Sequence, residues 1–131
     1  FREPLVCLPP SDHRLATRKL ISVADLRHEP FVTVSKEAAP DFSELLLEQC
    51  RTAGFRPRVV LESPRAQAVA LMVATGSGVA LLPASAASLA KDLSVTLRLR
   101  EKVAINHVFA MRSAEPNPWI SKFAGLLAGR R

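Results

Sequence analysis

One stretch, Ala74-Thr75-Gly76-Ser77-Gly78-Val79-Ala80-Leu81-Leu82-Pro83-Ala84-Ser85, restricts the possible folds more than any other. Val79 to Leu82 are apolar at every position, without the alternation of a strand that has one wet face. A strand of this kind is covered on both sides, as in parallel sheets with helices on either face. Gly76 and Gly78 supply the backbone freedom for a helix to stop and turn into the strand. Pro83 has no amide hydrogen and ends it. Ligands of open α/β sheets gather outside the carboxyl ends of the strands. Pro83-Ala84-Ser85 is therefore expected at the end of the sheet where function resides.

The flanking segments fit such a sheet. Leu5-Val6-Cys7-Leu8 is a short apolar strand stopped by Pro9-Pro10. Ser11 to Lys19 is a polar connector, in which a lone His13 is expected to be solvated. Ser22-Val23-Ala24-Asp25 has the form of a capping box and opens one helical turn. Phe31 to Val34 is the next strand. A long helix starts at Pro40-Asp41-Phe42-Ser43-Glu44 with Asp41 as its cap. Phe42, Leu45, Leu46, Cys50 and Ala53 share one face of it, and Gly54 followed by Pro57 ends it. Arg58 to Glu62 is a strand with Val59, Val60 and Leu61 at its apolar centre. Ser63-Pro64 reads as a cap with proline at the first helical position. Ala66, Val69, Ala70 and Val73 form the buried face of that helix, and Gly76 closes it.

Past the central strand, Ser85 is expected to cap a short helix running to Leu89. Val95, Leu97 and Leu99 alternate with polar residues, as in a strand with one wet face. Ile105 to Met111 forms a further strand. Asn117-Pro118 starts a terminal helix with Ile120, Phe123 and Leu127 on one side, and Trp119 serves core or interface packing. The middle of the chain is thus a βαβαβ unit.

Composition narrows the class. The 131 residues are enough for one ordinary domain, and 48% hydrophobic residues allow a real core. Cys7 and Cys50 lack any CxxC spacing and read as buried thiols in a reducing compartment. No apolar run approaches a membrane span, and no basic-then-apolar leader precedes the first strand. A cytoplasmic setting is expected, with no membrane partner. The chain opens on Phe1 and is expected to be a piece of something longer. Its charge of +6 comes from 18 basic and 12 acidic residues, scattered and not interleaved with aromatics. A solvated basic surface accounts for this better than a nucleic-acid footprint.

No catalytic set emerges, so the chain is not read as an enzyme. His13, His28 and His107 are far apart and lack metal-ligand spacing, and no cofactor motif is present. Ser77 lies between glycines, but Gly76-Ser77-Gly78 precedes a strand. A nucleophile elbow or a dinucleotide loop needs the opposite order. What remains is an anion-friendly geometry. Two helix N-termini follow central strands, near Asp41 and near Ser63-Pro64, with Ser35, Lys36, Ser63 and Arg65 close by. Their free amides can hold a carboxylate or phosphate, and can equally serve capping alone.

At this point a pattern is visible. Glu3-Pro4-Leu5-Val6-Cys7-Leu8-Pro9, Asp12-His13-Arg14-Leu15-Ala16 and Ser22-Val23-Ala24-Asp25-Leu26 with Glu29-Pro30-Phe31-Val32 resemble the effector-binding domain of LysR-type transcriptional regulators. Ala53-Gly54-Phe55-Arg56-Pro57-Arg58-Val59-Val60 and Val79-Ala80-Leu81-Leu82-Pro83-Ala84-Ser85 continue the resemblance over essentially the whole chain. It implies an α/β, periplasmic-binding-protein-like (type 2) effector domain with the second subdomain complete and the first only partial. Residues 1–10 would be a crossover strand of the first subdomain, 11–90 the effector-binding second subdomain, and 91–131 the return into the first. The function implied is sensing of a small molecule in the cleft between subdomains of a homo-oligomer, with DNA held only by a separate winged helix-turn-helix. Without that domain, and without the opening half of the first subdomain, these residues are expected to bind ligand poorly and no operator specifically. Apolar strands left without neighbours at the ends invite self-association.

Pro40-Asp41-Phe42 resembles a Pro-x-Phe element that lines the cleft in the branch controlling aromatic-compound catabolism. The tail from Phe109 to Phe123 is similar to that branch as well. The resemblance thus points to a small organic acid effector, aromatic or a muconate-like dicarboxylate. Ser35, Lys36, Pro40, Asp41, Phe42 and Ser63 are the candidate ligand-binding residues, with no catalytic or metal residues. Two other readings are a periplasmic-type solute-binding protein of the same fold, and a small hydrolase or transferase using Ser77 or His107.

Overall fold

The computed structural model describes residues 2–88, 92 and 94–106. The elements run β1 (Arg2–Leu8), β2 (Leu20–Ile21), a 3-10 helix (Val23–Leu26), β3 (Pro30–Val34), α1 (Pro40–Thr52), β4 (Arg58–Ser63), α2 (Ala66–Ala74), β5 (Ala80–Pro83), α3 (Ala84–Ala87), β6 (Leu97–Leu99) and β7 (Ala104–Asn106). The expected terminal helix, with Trp119, and His107 lie outside the described residues.

The strands form two sheets in contact. One has the order β2-β6-β1-β5, with β7 added to β1, and the other is the parallel pair β3-β4. A parallel bridge between Phe31 and Val79 joins them. Two backbone bonds make it: the Val32 amide donates to the Val79 carbonyl at 2.9 Å, and the Val79 amide to the Pro30 carbonyl at 2.9 Å. The parallel βαβαβ unit is therefore present as β3-α1-β4-α2-β5, with β3 in its middle. β5 turns antiparallel on its other side, where Leu5 faces Pro83 and Leu8 faces Ala80 on β1.

The continuous apolar runs are explained by two cores. Along β1 and β5, Leu5, Cys7, Val79 and Leu81 enter one cluster with Phe31, Leu46 and Cys50. Val6, Leu8, Ala80 and Leu82 enter the other with Val32, Val34, Val69 and Val73. Successive strand residues point to opposite faces, so a sheet covered by helices on both sides needs apolar residues at every position. Cys7 and Cys50 are free and buried, both in the first of these clusters. Burial pushes the Cys7 thiol up to about 12, helped by the nearby Glu29 charge, and the Cys50 thiol up to about 11.

The two glycines before β5 do different work. Gly76 adopts φ +91, a left-handed conformation that favours glycine, as expected at a helix end. Gly78 has no such φ, but a Cβ there would lie 2.6 Å from the Pro30 carbonyl oxygen. It is required by the close approach of β3, and not by the turn. Among the described residues no helix is long and apolar enough to cross a membrane.

Candidate functional site

The site is built where strands of the parallel unit end. β3 and β4 run parallel with Val34 opposite Ser63. The Ser35 amide donates to the Ser63 carbonyl at 2.9 Å, which ties the loop after β3 to the loop after β4. Ser35 and Ser63 are therefore adjacent, Ser63 buried and Ser35 half-buried. Lys36, Pro40 and Asp41 are exposed on the loop and the first turn of α1. Phe42 is half-buried and packs against both hydrophobic clusters, so it sits at the end of the sheet that separates them.

Three expected caps take other forms. Pro40 is the first residue of α1 and Ala39 its N-cap, so Asp41 lies in the first turn without a cap bond. Proline's fixed φ starts the helix two residues early, and the Asp41 charge still suits the helix's positive end. Ser63 is the last residue of β4, and α2 begins only after Arg65. A residue before proline is driven to extended backbone, which keeps Ser63 in the strand. Its Oγ accepts the Arg65 amide at 3.3 Å. Ser85 lies within α3, not before it. Its amide and its Oγ donate to the Glu3 carboxylate at 2.6 and 2.8 Å. Glu3 thus brings β1 to the same end of the sheet as the Ser35–Ser63 pair, since β3, β4 and β5 all end there.

Other groups escaped the sequence reading because their partners are distant along the chain. His13 is not solvated: its Nε2 lies 2.7 Å from Glu29 Oε1, with both side chains 15% exposed. Its Nδ1 accepts the Leu15 amide at 3.1 Å, so Nε2 carries the hydrogen donated to Glu29. Arg14 adds a 3.0 Å contact to the other Glu29 oxygen. Burial opposes ionisation of Glu29, but hydrogen bonds and charge from His13 and Arg14 outweigh it and hold the carboxyl below the usual range. The capping box at Ser22 is present, with Asp25 accepting the Ser22 amide at 2.9 Å. The Val23 amide is taken by Glu101, whose two oxygens lie 3.2 and 3.1 Å away.

An open groove of about 590 Å³ runs along the N-terminal half of β1 against β6 and β7, past Pro4, Val6, Leu99 and Val103. It contains none of the six candidate residues. Among the described residues, no group of three or more His, Cys, Asp or Glu side chains is arranged to hold a metal. The arrangement brings two serines, a lysine and an aromatic ring to one sheet end.

Comparison with known proteins matches this architecture. The family model for the LysR substrate binding domain matches residues 1–130. The chain is 38% identical over 122 residues to the HTH-type transcriptional regulator AlsR of Bacillus subtilis (strain 168), covering 92% of this chain and 40% of that protein. It therefore spans well under half the length of that relative. A LysR family regulator from Pseudomonas aeruginosa superposes with a TM-score of 0.65 at 26% identity, over 79% of this chain and 36% of that one. The BenM effector binding domain, solved with its effector benzoate, superposes with a TM-score of 0.68 at 20% identity, over 98% of this chain and 61% of the other. With its α/β core, its strand-end loops and this match over nearly every residue, the chain belongs to the LysR substrate-binding domain family.

Proposed function

We propose that the chain is the effector-sensing part of a LysR-type transcriptional regulator, non-enzymatic and acting in the cytoplasm as a homo-oligomer, with DNA held by a separate helix-turn-helix domain. Its family membership and its likeness to an HTH-type regulator support this. The effector is a small organic acid, aromatic or a muconate-like dicarboxylate, held by Ser35, Lys36, Pro40, Asp41, Phe42 and Ser63. The observation that carries the site is the Ser35–Ser63 bond, which gathers two strand ends and the start of α1 into one place. The Lys36 ammonium and loop amides would meet the carboxylate, and Phe42 the ring. That BenM holds benzoate in the same fold is consistent with this chemistry. On this reading residues 11–90 are the effector-binding subdomain. Residues 1–10 and 91–131 are the crossover strand and the return, and β1 has the pairing such a strand needs. Its Leu5–Leu8 half pairs with β5, and its Arg2–Pro4 half with β7.

The test is amide shift mapping by NMR with benzoate and with cis,cis-muconate at millimolar concentration. Shifts concentrated at residues 35–43 and 63–66, and lost in Phe42→Ala, are expected. No shifts with either acid, or shifts confined to the β1–β6–β7 groove, would count against the site.

A further inference from the structure

We propose that the Thr33 hydroxyl is a further ligand contact and makes the effector a hydroxy acid, whose hydroxyl meets Thr33 while its carboxylate stays beside Lys36. Thr33 lies on β3, two residues before Ser35, and is 7% exposed. Among the described residues its Oγ1 has no hydrogen-bond partner. A buried hydroxyl left unpaired costs free energy, so an orphan of this kind needs a reason to be there. The other buried hydroxyl at this sheet end, that of Ser63, has a partner in the Arg65 amide.

Alternation along β3 fixes the side to which this hydroxyl turns. Val32 and Val34 enter the cluster that holds Val69 and Val73 of α2. Phe31 enters the cluster that holds Leu46 and Cys50 of α1. Thr33 and Ser35 share the Phe31 face, the one α1 covers, about 7 Å apart along the strand. The start of α1 is folded onto the end of this strand, where the Ala38 and Ala39 amides both donate to the Ser35 carbonyl at 3.1 Å. Pro40 has no amide hydrogen, and the first amide of α1 to reach a carbonyl four residues back is that of Ser43, at 3.0 Å from Ala39. The Asp41 and Phe42 amides before it have no such carbonyl. An orphan hydroxyl and two helix-end amides thus lie at one end of one sheet face. The deep and outer parts of this place tolerate different groups. Phe31, the neighbour of Thr33 on its face, is fully buried, whereas Lys36 is exposed. A carboxylate beside Thr33 would lose its hydration among apolar side chains, and Glu62, opposite Thr33 on β4, adds like charge. A neutral hydroxyl bears neither cost and can donate to Thr33 or accept from it. The effector class is thereby narrowed to hydroxy acids, at the expense of dicarboxylates.

The role of Thr33 rests on the site proposed above, and an NMR titration of the chain separates the two. The probes are benzoate, 3-hydroxybenzoate, 4-hydroxybenzoate and cis,cis-muconate. At least one hydroxybenzoate should bind the wild type about tenfold more tightly than benzoate or muconate. Thr33→Val keeps the side-chain shape and removes the hydroxyl. It should erase that preference by weakening the hydroxybenzoate alone, leaving benzoate within about twofold of its wild-type affinity. Without ligand, Thr33→Val should keep or raise the midpoint of chemical denaturation, because no hydrogen bond is lost and an unpaired hydroxyl is removed. Binding with no preference for a hydroxylated acid, a preference that survives Thr33→Val, or a lowered midpoint in the variant overturns the role of Thr33 and leaves the site standing. Binding of none of the four acids overturns both.

Discussion

β5 and β4 carry runs of nearly equal hydrophobicity and meet opposite fates. Ala80, Leu81 and Leu82 are at most 2% exposed, whereas Val59, Val60 and Leu61 each exceed 40%. The difference is one of place in the sheet. β5 has β1 on one side and the β3 bridge on the other, and helices over both faces. β4 has helices nearby but one strand neighbour among the described residues. An apolar run specifies a strand that helices cover. It does not specify how many strands flank it, because lateral neighbours are chosen by hydrogen bonding along the edge and by connections elsewhere in the chain.

Substitutions should expose this contrast, and the core carries the largest effect. Leu82→Ala should cost about 2–5 kcal/mol in chemical denaturation, through lost burial and a cavity where nothing can relax from either side. Val60→Ala should cost under about 1 kcal/mol in the same assay, since much of its surface is already in water. Equal costs at the two positions would break the comparison. The glycines give the next test. Gly78→Ala should cost about 1–3 kcal/mol, because its methyl group meets Pro30 backbone that cannot move without parting β3 from β5. Gly76→Ala meets nothing within 4 Å and should cost about 1 kcal/mol, for backbone conformation alone.

The third test concerns the connector before the 3-10 helix. The folded-state pKa of Glu29 is depressed, so its contribution to stability is fully present above the ordinary value of 4.5 and is lost as pH falls through the lower folded value. Glu29→Gln should therefore flatten the acid side of the stability–pH curve below pH 4.5. An unaltered acid limb would show that the His13–Glu29–Arg14 contacts do not persist in solution. The smallest effect is expected at the thiols. Cys7 and Cys50, fully buried with raised pKa values, should react with a thiol reagent only as fast as the protein opens, and at full speed in denaturant.

Much of the fold was legible because its signals are local. Gly54 and Gly76 ended helices as read, and the period-2 division of Val79 to Leu82 between two cores follows from their unbroken hydrophobicity. Cap positions were legible only to within two residues, because Pro40 and Pro64 shift helix starts in ways that a serine or aspartate beside them does not reveal. The polar ties were not legible at all. Glu3 meets Ser85, Glu101 meets the Val23 amide, and His13 meets Glu29, across separations of 82, 78 and 16 residues. The two-residue β2 also depends on a strand remote in sequence, β6. At the candidate site the chain supplied the residue types, but the Ser35–Ser63 bond that assembles them is a product of β3–β4 register.

Among the described residues β1 pairs with strands that come much later, β5, β6 and β7. A ribosome adding roughly 5–20 residues per second needs several seconds to pass from Leu8 to Ala80. Throughout that interval Val6, Cys7 and Leu8 have been made and the strands that will cover them have not. β1 thus waits for the distal half of the described residues before these pairings can form.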